Sequence, residues 1–132
     1  MKTDRRTERK HVFCLAFQLA FQDNDPEQML ELYIENHPTI PYQGFIQSSF
    51  EGIHKNLKQI DGLINQNLKN WKFERINKVD LTIIRLAVYE TAFANTPSKV
   101  AINEAVELAK EFSTEEAPSF INGILGRLIA ER

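Results

Sequence analysis

Cysteine is nearly absent from this sequence of 132 residues, since the single thiol, at Cys14, stands alone among apolar neighbours. One cysteine cannot form a disulfide within the chain, which is typical of proteins in a reducing compartment. No apolar stretch approaches the roughly 18–20 residues that cross a bilayer, and the charged start of the chain lacks the apolar segment of a signal peptide. We therefore expect a cytoplasmic protein that makes no membrane contact.

The residue patterns of common catalytic and cofactor sites are absent as well. The three histidines, His11, His37 and His54, fall in different predicted segments, without the HExxH or Cys–His spacing of a metal site. There is no glycine-rich phosphate loop and no serine in a nucleophile elbow. The sequence thus predicts no enzyme, no metal and no cofactor.

Glycine and proline are scarce, with five residues of each. Hydrophobic residues recur at helical spacing, without the lasting alternation that is typical of strands. The pattern predicts an all-α chain of about seven helices, the first from Asp4 to about Gln22 with Thr3 or Asp4 as its cap. The others are expected at about 26–36 and 42–59, in a shorter segment after an interruption at Asp61 and Gly62, and in three helices over 79–125.

Charge is concentrated at the start of the chain. Residues 1–10 hold five basic and two acidic side chains, for a net charge of +3, whereas residues 11–132 hold eleven basic and sixteen acidic ones, for −5. At about 100° per residue in a helix, the five cations share one face: Lys2, Arg5, Arg6, Arg9 and Lys10. We expect this face to overhang the body of the protein, where it can neutralise the phosphates of a nucleic acid. The alternative is a charged terminus that is only solvated.

The stretch 79–125 has the clearest helical periodicity. Within it, Glu90 falls on an apolar face, where a carboxylate needs hydrogen-bond donors, and we expect the free backbone N–H groups near Ser98–Val100 to supply them. The helix that follows has a largely acidic face, which we expect to be solvated. Before this stretch, Trp71 and Phe73 are expected to fill the seam between two groups of helices.

Several runs of this sequence are similar to those of one protein family. They are IIRLAVYE at 83–90, VAINEAVELAKEF at 100–112, FINGIL at 120–125 and the arginine-rich opening RRTERKHVFCLAFQ at 5–18. Together they resemble the NusB family of bacterial transcription antitermination factors, over essentially the whole chain. The resemblance implies a single domain, 1–132, built of two small helical bundles packed crosswise, at about 1–70 and 71–132.

The resemblance also implies a function. NusB-like proteins bind the boxA element of ribosomal operon leader RNA together with a small-subunit ribosomal protein, NusE, and join the elongating RNA polymerase with other Nus factors. They are not catalysts, in agreement with the missing motifs. Some are homodimers, so that a monomer and a homodimer both stay open. An alternative function is a helical protein–protein interaction module that does not bind RNA directly.

The expected RNA-binding residues at the start of the chain come from this resemblance. Arg5, Arg6 and Arg9 match the family's arginine-rich RNA-binding motif. Lys10 stands where the family usually has glutamate, and it joins the set because it shares the helical face of the three arginines.

Two further sites are implied near the end of the chain. Glu116, Ser119 and Phe120 match the start of the last helix, which lies beside the RNA in NusB-like proteins. Asp80 matches an acidic position that faces the ribosomal-protein partner. Phe120 as a core residue and Asp80 as a helix cap are the alternatives.

Overall fold

The computed structural model describes residues 3–21, 25–69 and 71–129. Within these ranges the chain forms seven α-helices and two short 3₁₀ helices, at Gln18–Ala20 and Phe73–Arg75, and no strand. The α-helices are α1 (Arg5–Phe17), α2 (Pro26–Asn36), α3 (Phe45–Lys55), α4 (Leu57–Gln66), α5 (Lys78–Phe93), α6 (Ser98–Phe112) and α7 (Ala117–Leu128). The predicted all-α class is confirmed. None of the described helices is long and apolar enough to cross a membrane.

Polar side chains determine where several helices begin. Asp4 caps α1, because its carboxylate accepts a 2.7 Å hydrogen bond from the Thr7 N–H. Asp25 caps α2 ahead of a proline at the first helical position. At the start of α5, Asn77 Oδ1 accepts from the Asp80 N–H at 2.8 Å, and Asn77 Nδ2 donates to the Asp80 carboxylate at 3.0 Å. Such caps are readable from sequence because each acts within three residues.

The break in the middle of the chain lies elsewhere than predicted. The sequence pattern predicts one helix over 42–59 and an interruption at Asp61 and Gly62, and this prediction is wrong. α3 gives way to α4 at Asn56, whose Nδ2 donates to the Gly52 carbonyl at 2.8 Å, a local bond that competes with the helix. Asp61 lies inside α4 and accepts two 2.8 Å hydrogen bonds from Arg85 of α5. An ion pair between two helices leaves no local signal in the sequence.

Helix α1 is shorter than predicted. Its α-helical bonding ends at Phe17 and tightens into the 3₁₀ turn, whereas the predicted end at Gln22 lies outside the described residues. The face shared by Arg5, Arg6, Arg9 and Lys10 is unaffected, because it occupies the first two turns of α1, whereas Lys2 lies outside the described residues.

Helix α5 lies at the centre of the fold. Its residues from Asp80 to Glu90 are all buried, and it contacts α1, α3, α4, α6 and α7. A helix in this position is enclosed on every side. One continuous hydrophobic core draws residues from all seven helices, and the division into sub-bundles at about 1–70 and 71–132 stays a prediction.

Candidate nucleic-acid interface

Three cations at the start of the chain, Arg6, Arg9 and Lys10, pair with carboxylates of other helices. Arg6 Nε and Nη2 donate to the two carboxylate oxygens of Glu104 on α6, at 3.1 and 2.8 Å. Lys10 Nζ lies 2.9 Å from the carboxylate of Glu111, two turns further along α6. The basic face of α1 therefore lies along the acidic face of α6.

Arg9 is buried, with 7% of its surface exposed. Its Nε and Nη2 each donate to a carboxylate oxygen of Glu90 at 2.8 Å, and Glu90 is 1% exposed. Burial works against the charge on Arg9, but the hydrogen bonds and charge of Glu90 outweigh it and raise the pKa of Arg9. The expectation that this face overhangs the body is wrong at Arg9.

The donors that satisfy Glu90 also differ from those expected. Besides Arg9, the Thr96 hydroxyl donates to the Glu90 carboxylate at 3.1 Å. The interpretation of Glu90 as a structural carboxylate agrees with this geometry, but its donors are not the backbone N–H groups of Ser98–Val100. Glu90 is therefore paired with Arg9 of another helix instead of with the nearby backbone N–H groups.

Glu104 links two of the arginines. It receives both bonds from Arg6, and its carboxylate lies 3.7 Å from Arg9 Nη1. The hydrogen bond from Arg6 is the main reason that the pKa of Glu104 is lowered. Its side chain is 15% exposed, so the expected solvated acidic face is wrong at this position.

Arg5, Arg6 and Lys10 keep substantial exposure despite these pairs. The side chains of Arg5 and Arg6 are each 58% exposed and that of Lys10 is 39% exposed. Arg5 donates to Glu8 at 3.1 Å, and its guanidinium lies 4.2 Å from the centre of the Phe45 ring. These three side chains, unlike Arg9, have donors within reach of a bound anion.

An open groove between α6 and α7, which we call the α6–α7 groove, brings together two of the predicted sites. Arg6 of α1 and Ser119 of α7 both line it, although they are far apart in sequence, and its volume is about 530 Å³. The remaining lining residues are Asn103, Val106, Glu107, Lys110, Pro118 and Asn122.

A second groove, which we call the linker groove, lies beside the connection between α4 and α5. Its volume is about 200 Å³, and it brings together three of the predicted site residues: Glu116, Phe120 and Asp80. The other lining residues are Trp71, Arg75, Ile76, Asn77, Thr114 and Ala117.

Trp71 lies at the surface of the linker groove. It is 50% exposed, and its ring centre lies 5.5 Å from that of Phe120. The expectation that Trp71 fills a seam is therefore wrong, while Phe73 is half-buried against the core as expected. Phe120 is also partly buried against the core, so that it has both a core face and a groove face.

Asp80 is fully engaged within the chain. It is 5% exposed; one carboxylate oxygen accepts from the Ser113 hydroxyl at 2.6 Å and the other from Asn77 at 3.0 Å. The alternative of Asp80 as a helix cap is wrong, because Asn77 caps α5 and Asp80 lies in the first turn of that helix. Its contact with a protein partner stays a prediction, as do the RNA contacts of the other site residues.

Sequence reasoning missed Glu104, Trp71 and Arg75 as parts of these surfaces. A signal for the last two was present, because the connection around them is rich in lysine and arginine. Among the described residues no group of three or more histidine, cysteine or acidic side chains could hold a metal ion.

Comparison with known proteins identifies the family that shares this architecture. The family model described as the NusB family matches residues 6–130 of this chain. The transcription antitermination protein NusB of Clostridium novyi (strain NT) is 38% identical over 130 residues, covering 96% of this chain and 98% of that protein. The corresponding protein of Clostridium botulinum (strain Loch Maree / Type A3) is 51% identical over 86 residues, which cover 64% of this chain and 61% of the relative's length.

Solved structures of similar fold include the T. maritima NusB. It has a TM-score of 0.88 and 40% sequence identity, covering 100% of this chain and 94% of that chain. A structure of the antitermination factors NusB and NusE in complex with dsRNA has a TM-score of 0.86 and covers 97% of each chain. Its identity of 20% shows the shared fold alone.

Proposed function

The chain belongs to the NusB family, and we propose on that premise that it is an RNA-binding transcription antitermination factor. It binds the boxA RNA of ribosomal operon leaders together with the ribosomal protein NusE, and it joins the elongating RNA polymerase with other Nus factors. Its role is cytoplasmic and non-catalytic. Relatives over the whole chain are named as transcription antitermination proteins, and a protein of the same fold was solved with NusE and dsRNA.

The observation that carries this proposal is the α6–α7 groove. It joins an exposed arginine from the start of the chain, Arg6, to Ser119 near its end. A cation beside an open, polar groove is a site for the phosphates of a nucleic acid strand.

Each site residue has a role in this proposal. Arg5, Arg6 and Lys10 contact phosphates, since their donors are exposed. Arg9 is buried and instead positions Arg6 through Glu104, whose carboxylate lies near both arginines.

In the linker groove, Glu116 accepts hydrogen bonds from base amino groups, a pairing that carboxylates make with cytosine. Phe120 offers a ring face for stacking. Asp80 is buried, and its hydrogen bonds fix the start of α5, where NusE docks.

The test is binding of fluorescein-labelled boxA RNA, followed by anisotropy with and without NusE. In Arg6→Gln we expect weaker binding and a salt dependence that is shallower by about 0.7 to 1 in log–log slope, because one phosphate is no longer neutralised. The matched control is Lys99→Gln, which removes an exposed cation at the far end of α6 from Ser113 and Asp80. An Arg6→Gln protein with unchanged affinity and slope would sink the assignment of this face.

A protein-only interaction module is the second candidate, and the pairing of the N-terminal cations with Glu8, Glu104 and Glu111 favours it. It predicts binding to NusE with no RNA binding in either condition. Light scattering at two protein concentrations, in the same experiments, assigns the monomer or homodimer.

A further inference from the structure

The connection between α4 and α5 carries a second set of cations. Residues 69–78 hold four basic side chains and one acidic one, for a net charge of +3. We call the four basic residues the linker cations; they are Lys69, Lys72, Arg75 and Lys78, and all four are exposed.

The linker cations differ from the N-terminal cations in their partners. Arg5, Arg6, Arg9 and Lys10 each lie within 3.1 Å of a carboxylate oxygen. In the part of the chain that the structure describes, the linker cations make no ion pair and no side-chain hydrogen bond. A phosphate that reaches them there displaces no described carboxylate, so that their charge is available to an anionic strand.

An aromatic pair, exposed at Trp71 and half-buried at Phe120, lies directly beside these cations. Trp71 and Phe120 have ring centres 5.5 Å apart and both line the linker groove, as does Arg75. Lys72 and Lys78 are chain neighbours of the lining residues Trp71 and Asn77. Exposed aromatic faces flanked by cations are how proteins bind single-stranded nucleic acid, with bases stacked on the rings and phosphates on the cations.

The linker groove is small enough to restrict the size of the group that binds in it. Its volume of about 200 Å³ is below the roughly 300–1,000 Å³ of sites for drug-sized ligands, which suits one planar ring system. Asp80 is already saturated by Asn77 and Ser113. The exposed acidic groups nearby are Glu116, which lines the groove, its chain neighbour Glu115, and Glu74 in the linker. Of these, Glu116 can accept from a base amino group.

We propose that the linker groove takes one unpaired base of an RNA strand, stacked on Trp71, while Lys72 and Arg75 contact the adjoining phosphates. This inference rests on the proposed RNA-binding function and extends the RNA surface from Glu116 and Phe120 to Trp71 and the linker cations. The linker cations, which pair with no carboxylate of the described residues, favour an RNA strand over a protein segment as the occupant.

Trp71 is the only tryptophan in the sequence, so that its emission reports on this groove alone. Unlabelled single-stranded boxA RNA is titrated into the protein, with N-acetyltryptophanamide as the control for absorption by the RNA. We expect quenching of Trp71 that saturates at the same RNA concentration as the anisotropy signal. RNA binding seen by anisotropy without any change in Trp71 emission would overturn the linker proposal and leave the proposed function standing.

Variants separate stacking from charge. Trp71→Ala is expected to weaken RNA binding about fivefold or more, as for the removal of one stacked base, while Trp71→Phe retains most of the affinity. Lys72→Gln with Arg75→Gln should reduce the log–log salt slope by about 0.7 for each phosphate that is no longer neutralised, whereas Lys99→Gln leaves it unchanged. Circular dichroism confirms folding, which these exposed positions should not disturb.

Two other outcomes have distinct meanings. If wild-type protein binds no RNA with or without NusE, the proposed function fails together with the inference. If NusE alone changes Trp71 emission and RNA adds nothing further, the groove belongs to the protein partner, and the RNA assignment is wrong.

Discussion

Arg9 and Glu90 form a two-point ion pair across 81 residues of sequence, with Nε–Oε2 and Nη2–Oε1 distances of 2.8 Å. Both side chains are buried, and the pair fastens α1 to the central helix α5. One arginine of the arginine-rich opening is therefore part of the protein's interior. The same stretch of sequence serves stability at Arg9 and exposes cations at Arg5 and Arg6.

Removing one side of this pair is expected to destabilise the fold strongly. Arg9→Ala should lower the free energy of unfolding by about 3–5 kcal/mol, because Glu90 is left as a buried, unpaired carboxylate. Urea unfolding followed by circular dichroism measures this. The double variant Arg9→Met with Glu90→Leu should be more stable than Arg9→Ala, since no charge is stranded. An Arg9→Ala protein that unfolds at the wild-type urea concentration would contradict the pair's structural role.

The stabilising effect of Glu104 should depend on pH. Its pKa is lowered from 4.5, mainly by the hydrogen bond from Arg6, so that its stabilising effect is present above pH 4.5 and is lost as pH falls through the lower pKa of the folded state. We expect Glu104→Gln to be less stable than wild type near neutral pH and the difference to shrink below pH 4.5. Urea unfolding of both proteins over this range is the measurement, and a difference that grows on acidification would refute it.

His11 should make the fold less stable at mildly acidic pH. It packs against Tyr33, whose hydroxyl lies 2.6 Å from His11 Nδ1, and its ring centre lies 5.7 Å from that of His37. Burial, followed by the charge of His37, lowers the pKa of His11 from 6.5. Stability is then full above pH 6.5 and falls as the unfolded chain takes up protons below it. We expect an NMR titration midpoint for His11 below 6.5 and a weaker pH dependence of unfolding in His11→Gln; a midpoint above 6.5 would count against this.

Two helical glycines should respond in opposite directions to alanine. At Gly52 of α3 a Cβ would overlap the ring of Tyr89, whereas at Gly62 of α4 nothing lies within 4 Å of it. Gly52→Ala is expected to cost about 1–3 kcal/mol through overpacking. Gly62→Ala, the matched control, should stabilise by about 0.5–1 kcal/mol, because alanine is the better helix former. Thermal unfolding distinguishes them, and equal shifts would show that α3 and α5 do not pack this closely.

The parts of the fold that sequence predicted well depend on nearby residues. Asp4 and Asp25 cap helices through bonds to residues two or three positions away, and the periodicity of 79–125 is a property of each helix by itself. The prediction of a break at Asp61 failed because the interaction that places Asp61 inside α4 is not local. Its partner Arg85 lies on another helix.

The residues of the candidate site likewise divide into those whose placement the sequence predicted and those whose placement only the tertiary structure shows. Sequence places Arg5, Arg6, Arg9 and Lys10 on one helical face, since a regular turn fixes their angles. It does not show that Trp71 is exposed beside Phe120, because the two rings meet only when α7 packs beside the linker.

The all-α class, the starts of α1 and α2 and the shared face of Arg5, Arg6, Arg9 and Lys10 were thus determined by the sequence, because each depends on residues a few positions apart. Which of those cations faces solvent was decided by the tertiary structure. Glu90 reaches Arg9 from 81 residues away and Glu104 reaches Arg6 from 98. A charged side chain pairs with whichever carboxylate packing brings within hydrogen-bond distance, and only the assembled helices set that distance.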